Sequence, residues 1–365
     1  MNSSTISRRR FAQLLGAGAA LSLARPALSF AREPAVATSG IVRLNSNENP
    51  FGPSAKALAA IPAAYEYACR YPDAHAEMLI EALAKTNGVS SEQILLGAGS
   101  GEILRISANA FDGPLVMADP TFEALAGHAK RRGAAIVKVP LIDTFAHDLP
   151  KMAAAAKGGL VYLCNPNNPT ASITPKNDVR EFIAQTPPET MILVDEAYHH
   201  YVESDDYESV IPLMKDHPNL IVARTFSKIY GMAGMRCGYA IAQPATIERM
   251  QPHQLNDGVN ILALVAASAS IADAAHVPDG RKLNSETRKF VTDALAADGF
   301  ESIPSQANFV MVNLKRPVVP VIEAMKKQKV KIGRLFPALP NHMRLTIGRK
   351  AEMEAFLTAF RAAMV

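Results

Sequence analysis

Six short apolar runs of β type, Ile94–Leu96, Leu115–Ala118, Ala135–Val139, Leu160–Cys164, Met191–Val194 and Leu220–Arg224, alternate mostly with helical patterns. That alternation constrains the fold more than any other feature of the chain. Strands that alternate with helices build a mostly parallel sheet covered on both faces. The expected fold class is therefore α/β, with the sheet in a large domain. In such sheets ligands sit outside the carboxyl ends of the strands, and the informative polar motifs of this chain follow those ends. Downstream, helical patterns over Gln251–Ala274 and Ser285–Asp298 and strand-like runs at Asn308–Asn313, Val330–Ile332 and Arg344–Ile347 predict a smaller α+β domain. The predicted division is an arm over 32–70 that joins the small domain, a large domain over 71–250 and a small domain over 251–365. The arm is rich in Pro, Asn and Tyr, with a helix-like stretch at Ser54–Ala60.

Composition enters through charge and cysteine. The formal net charge is +4, but Arg8, Arg9, Arg10 and Arg25 precede the first acid, Glu33, so removing residues 1–31 leaves no net charge. The basic footprint that nucleic acid requires is then missing. Cys69, Cys164 and Cys237 are widely spaced and form no CxxC or Cys/His pattern, so neither a metal site nor a disulfide framework is expected. Residues 1–31 read as an address: Ser7-Arg8-Arg9-Arg10-Phe11, an uncharged stretch from Leu14 to Ala24, and small residues ending at Ala31. The apolar run is too short and too rich in Gly and Ala for a membrane anchor. The order S-R-R-x-F resembles a twin-arginine signal, which implies an exported, periplasmic protein that crosses the membrane folded.

Three motifs carry chemistry. Ile94–Leu96 runs into Gly97-Ala98-Gly99-Ser100-Gly101-Glu102 and then a helical pattern, Ile103 to Phe111. Glycines at a strand-to-helix turn let backbone N–H groups approach a phosphate, with favourable charge from the helix N-terminus. A tight turn without a ligand fits this motif equally well. A dinucleotide fingerprint would need a third glycine where Glu102 stands, so an oxidoreductase reading scores poorly. Asp195 ends an apolar run, where a buried carboxylate is costly without a cationic partner, and a protonated ring nitrogen would be one. Lys228 leaves another run in Thr225-Phe226-Ser227-Lys228, and a lysine that is buried or flanked by cations loses its proton readily enough to form a Schiff base.

Taken together, Leu163-Cys164-Asn165-Pro166-Asn167-Asn168-Pro169-Thr170, Asp195-Glu196-Ala197-Tyr198 and Thr225-Phe226-Ser227-Lys228 with Arg236 eight residues on are highly specific. From Leu44-Asn45-Ser46-Asn47-Glu48-Asn49-Pro50 to Arg344, the chain resembles the class I/II aminotransferases of fold type I, which use pyridoxal phosphate. Within them it resembles the histidinol-phosphate aminotransferase branch. The resemblance implies that Lys228 binds the cofactor as a Schiff base and moves a proton at the substrate carbon, while Asp195 keeps the pyridine nitrogen protonated. Asn168 and Tyr198 would bond the ring oxygen, and Gly99, Ser100, Gly101, Ser227 and Arg236 would hold the phosphate. Phe122 would stack on the ring, although it could equally be plain core. Tyr71, in Arg70-Tyr71-Pro72, matches a tyrosine that reaches the neighbouring subunit's phosphate, which implies a homodimer with shared sites. Arg344, with Asn47, would bind the substrate, the arginine gripping its anionic group.

Two departures stand out: Ala171-Ser172 occupies positions where the family usually has glycine, and Gly99-Ser100-Gly101 lacks the acidic residues common in the histidine branch. The implied partners are an amino donor and a 2-oxo acid acceptor. Three functions stay open at this point: an aminotransferase, a decarboxylase of the threonine-phosphate type, and a non-catalytic binder. Lys228 and Asp195 together speak against the last, because binding needs neither an acid–base lysine nor an electron sink. Cofactor loading in the cytoplasm would require folding before export, which a twin-arginine address permits.

Overall fold

The computed structural model describes residues 40–364, so the expected signal, 1–31, lies outside the described residues. The described chain enters on a two-residue strand, Val42–Arg43 (β1). Ser54 then caps a helix over Ala55–Ala64 (α1) by accepting the Ala57 N–H at 3.2 Å. The next helix, Asp73–Asn87 (α2), ends at Gly88, whose φ of +66° supplies the left-handed cap that side chains resist. There follow β2 (Ile94–Gly97), α3 (Ser100–Ala110), β3 (Leu115–Asp119), α4 (Ala124–Arg131), β4 (Ile136–Pro140) and α5 (Leu149–Ala155). The large domain continues with β5 (Gly159–Cys164), α6 (Lys176–Gln185), β6 (Thr190–Asp195), β7 (Leu220–Thr225), β8 (Gly238–Ala242), α7 (Pro244–Met250) and α8 (Ile261–Ile271).

The seven strands β2 to β8 form one sheet in the order β2-β8-β7-β6-β5-β3-β4. It is parallel except at β8, which pairs antiparallel with both its neighbours. Every residue of β6, β7 and β8 is buried, as expected of strands covered on both faces. The doubly covered α/β fold anticipated from the alternation is thus present. The parallel strands end together, so Asp119, Cys164, Asp195 and Thr225 finish on one edge of the sheet.

A smaller layer follows: α9 (His276–Ala297), β9 (Glu301–Ser302), β10 (Phe309–Asn313), α10 (Val318–Lys327), β11 (Val330–Lys331), β12 (His342–Thr346) and α11 (Lys350–Met364). β10 pairs antiparallel with β12 and β9, while β1 pairs in parallel with β11. Leu44, Val310, Val312, Leu345, Phe356 and Phe360 belong to its separate apolar core.

The packing departs from the predicted division in two places. Residues 42–44 do join the small domain, but α1 and α8 pack on each other, and Ala57, Ala263 and Leu264 belong to the large core. The core therefore changes after α8 rather than at residue 251. The continuous helix expected over Gln251–Ala274 is interrupted, because Pro252 and the Asn256-Asp257-Gly258 turn leave only a 3₁₀ turn at Gln251–His253 before α8 begins. β8 went unread because three of the five residues in Gly238-Tyr239-Ala240-Ile241-Ala242 are Gly or Ala, weak strand formers on their own.

Candidate active site

The carboxyl ends of β5, β6 and β7, the first turn of α3, and Arg344 on β12 enclose one cavity of about 270 Å³. Asn47, Ser100, Gly101, Phe122, Asn168, Asp195, Tyr198, Ser227, Lys228, Arg236 and Arg344 all line it. Of the anticipated residues, Gly99 lies just behind this lining, at the turn into α3. Tyr71 stands apart, 80% exposed in the loop just before α2.

The floor of the cavity is buried and polar. Asp195 is 2% exposed and accepts hydrogen bonds from Tyr162 Oη at 2.8 Å and the Ala197 N–H at 3.1 Å, both neutral donors. Burial pushes its carboxyl above the usual range, against the pull of these two bonds. Lys228 Nζ donates to the Asn47 carbonyl at 3.2 Å. Burial, with the Arg344 charge adding to it, pushes this amine down to about 8. Roughly half of it is therefore neutral near that pH, whereas an ordinary lysine is almost wholly protonated there. Tyr198 Oη accepts from Asn47 Nδ2 at 3.1 Å and Asn168 Nδ2 at 3.4 Å, and burial raises its phenol.

The wall facing α3 is shaped for a phosphate. Gly99 has φ +83°, and a Cβ there would lie 2.1 Å from Arg236 Nη2, so the turn closes directly on the guanidinium. Arg236 donates from Nη1 to Ser227 Oγ at 3.3 Å and from Nη2 to the Ala98 carbonyl at 3.2 Å. At Gly101 an added Cβ would meet nothing within 4 Å, so open space lies in front of the helix N-terminus. Backbone N–H groups, a hydroxyl and a guanidinium converging on one space form the donor set of a phosphate site. Together with a buried carboxylate that has no cationic donor among the described residues and a lysine of depressed basicity, these residues fit pyridoxal phosphate.

Several contributors gave no readable signal in the sequence. Tyr162 lies inside an apolar run, where an aromatic ring reads as core, yet its hydroxyl is bonded to Asp195. Asn308 Nδ2 donates to the Asn47 and Glu48 carbonyls at 3.1 and 3.2 Å, and Thr346 Oγ1 accepts the Asn47 N–H at 2.9 Å. These bonds hold Asn47 at φ +54°, the left-handed backbone that aims its carbonyl at Lys228. Glu102, which counted only as a missing glycine, accepts the Ala98 N–H at 2.6 Å and so ties the phosphate turn to α3. Glu196 forms a buried ion pair with Arg224 at 2.7 Å, directly behind Asp195.

Fold and site fit a pyridoxal-phosphate enzyme of fold type I, with Lys228 in a cavity at the carboxyl edge of a doubly covered sheet. The chain matches the family Aminotransferase class I and II over residues 39–360. The histidinol-phosphate aminotransferase of Moorella thermoacetica is 37% identical over 329 residues, 88% of this chain and 85% of that protein. The histidinol-phosphate aminotransferase of Symbiobacterium thermophilum is 38% identical, covering 89% of this chain and 91% of that one. The crystal structure of histidinol-phosphate aminotransferase from Sinorhizobium meliloti in complex with pyridoxal-5'-phosphate superposes with TM-score 0.84 at 29% identity, covering 89% of this chain and 91% of that one. The chain belongs to the class I and II aminotransferases, and it is a pyridoxal-phosphate-dependent aminotransferase.

Proposed function

We propose that this enzyme moves an amino group between an amino acid or amino-alcohol phosphate and a 2-oxo acid, with histidinol phosphate, the compound in its relatives' names, as the first donor to test. The observation that carries this reading is the convergence of Lys228, Asp195 and Arg344 on one cavity. When bound, pyridoxal phosphate supplies an electron sink for negative charge at the donor's α-carbon. Ser100, Gly101, Ser227 and Arg236 would hold its phosphate, Asn168 and Tyr198 its ring oxygen, and Phe122 one face of its ring. Asp195 would keep a proton on the ring nitrogen. Lys228 Nζ, its basicity lowered by burial and the Arg344 charge, would hold the cofactor and would take and return the proton at the donor's α-carbon. Arg344 anchors an anionic group of the donor, and Asn47 holds Tyr198 and Lys228 in register.

Borohydride treatment of the holoenzyme should fix the cofactor on the peptide containing Lys228, and a panel of amino donors should convert the bound cofactor to its amine form. A label on another lysine would overturn the assignment. Carbon dioxide release without keto-acid formation would favour the decarboxylase instead.

Two finer readings accompany this one. Leu58, Tyr65, Tyr67, Tyr71 and Met78 are large, exposed apolar residues close together in the chain, which supports a homodimer in which Tyr71 serves the partner's phosphate site. Mixing inactive Tyr71→Ala and Lys228→Ala chains should then restore activity in hybrids, and hybrids that form yet stay inactive would refute the sharing. Export rests on sequence features alone, the uncharged run from Leu14 to Ala24, the small residues ending at Ala31 and, before them, the pair Arg8 and Arg9, all ahead of a family match that begins at residue 39. Replacing both arginines by Lys should retain active, uncleaved enzyme in the cytoplasm. A native chain that stays there with residues 1–31 attached would end this reading without touching the catalytic one.

A further inference from the structure

Arg344 is joined at the rim by a second guanidinium that the family motifs did not bring to notice. Arg334 and Arg344 stand on paired segments, the Gly333 N–H donating to the Arg344 carbonyl at 2.9 Å. Both guanidiniums lie against the Phe336 ring, 4.4 and 5.1 Å from its centroid. Their partners differ. Arg344 donates to neutral groups, Asn168 Oδ1 at 2.7 Å and the Asn45 carbonyl at 2.8 Å, and among the described residues its buried Nε has no partner. Arg334 donates to Glu123 Oε2 at 2.5 Å, from the small domain to the large one. Glu123 directly follows Phe122, and Phe122 and Arg344 both line the cofactor cavity, so this ion pair, itself outside that lining, sits beside the rim of the site.

We propose that Glu123 is a specificity-determining counter-ion. While it holds Arg334, the rim offers one uncompensated positive charge, Arg344, matched to a single carboxylate. When it lets go, the rim offers two, matched to a phosphate monoester, which carries a charge of about −1.5 to −2 at neutral pH. The inference rests on the reading above, in which Arg344 grips an anionic group. Transamination makes such a device useful, because one pocket must take a donor and then an acceptor whose anionic groups differ in charge.

The energetics suit an exchange. The two side chains are 55% and 51% exposed, and half-exposed pairs of this kind contribute between nothing and about 1 kcal/mol. A doubly charged phosphate that meets Arg334 in bidentate fashion outcompetes one carboxylate, while an amino acid with an uncharged side chain leaves the pair in place. Glu123 therefore weakens binding only of donors that use Arg334.

The test is steady-state kinetics of holoenzyme carrying Glu123→Gln, with histidinol phosphate and phenylalanine as alternative donors. KM for the phosphate donor should fall about three- to fivefold at unchanged kcat, the most that loss of such a pair allows. KM for phenylalanine should stay at its wild-type value. A parallel change for both donors, which a merely structural role would produce, or no change for either, overturns the proposal. Arg334→Gln separates this failure from that of the wider reading. If it raises KM for the phosphate donor while Glu123→Gln is silent, the two-arginine rim stands and the counter-ion role falls. If it too leaves that KM unaltered, the phosphate is gripped elsewhere and both fall.

Discussion

Asp195 on the floor of the site and Glu123 at its rim are both carboxylates with a nearby donor, yet the surroundings give them opposite duties. Asp195 is 2% exposed, bonded to neutral donors and pushed up by burial, so its charge is expensive and a cation delivered to it is held tightly. Glu123 is half in water, where the Arg334 pair exchanges at little cost. Burial turns a carboxylate into part of the chemistry, and exposure turns one into a filter. The same contrast separates the two basic groups: Lys228 is driven toward neutrality by its surroundings, while Arg334 shares the water-facing rim with Glu123.

The largest effect that would break this contrast is expected at Asp195. Asp195→Asn keeps both the size of the side chain and its capacity to accept from Tyr162, but the amide carries no charge to hold the ring proton. Turnover should fall roughly a thousandfold, the scale on which loss of a preorganised electrostatic partner acts, while the cofactor stays bound through Lys228 and the phosphate contacts. Absorbance of the bound cofactor and kcat from one preparation decide it. Wild-type turnover would mean that the buried floor holds the electron sink by some other group.

An effect on stability should appear just behind the floor. Glu196 and Arg224 are 1% and 8% exposed and bonded at 2.7 Å, with Ser209 sharing the guanidinium at 2.9 Å. Glu196→Gln leaves a buried guanidinium without its counter-charge, which costs about 3–5 kcal/mol. Thermal or denaturant unfolding of the variant should show that loss, whereas Glu123→Gln at the rim should unfold like the wild type. Equal stability of the two variants would erase the distinction between floor and rim.

How much of this was readable beforehand follows the same division. The sheet was legible because apolar runs alternating with helices allow few other folds, and Asn168, Asp195, Ser227, Lys228 and Arg236 were legible because each follows the end of a run. Tyr162 was not, since a hydroxyl inside an apolar run reveals its partner only when the neighbouring strand sets the register, Tyr162 beside Leu193. Asn308 and Thr346 were hidden for a related reason, because they act on Asn47 from more than 250 residues away in the chain. Arg334 and Glu123 belong to different domains, 211 residues apart, and nothing local marks them as a pair. Motifs report groups that act from one turn, and they are silent on groups that act through the fold.

Tyr162 gives the finest test of the floor. Its hydroxyl is fully buried and donates to Asp195 Oδ2 at 2.8 Å, and burial together with the Asp195 charge holds the phenol protonated well above its ordinary range. Tyr162→Phe keeps the ring and its packing and removes one hydrogen bond to a charged group, worth about 1.5–3 kcal/mol. Part of that falls on the carboxylate, so turnover should drop about tenfold, far less than in Asp195→Asn. The sign of the pH effect follows from the same bond. The hydroxyl stabilises the charged form and opposes the upward push of burial, so without it the Asp195 carboxyl rises further. A carboxyl that rises takes up its proton at higher pH, and activity that needs it charged is then lost earlier as pH falls. The acid limb of the kcat profile should therefore move toward neutrality in Tyr162→Phe, with the alkaline limb in place. A profile that keeps its acid limb, with turnover within twofold of wild type, would show that Asp195 depends on burial and the Ala197 N–H alone.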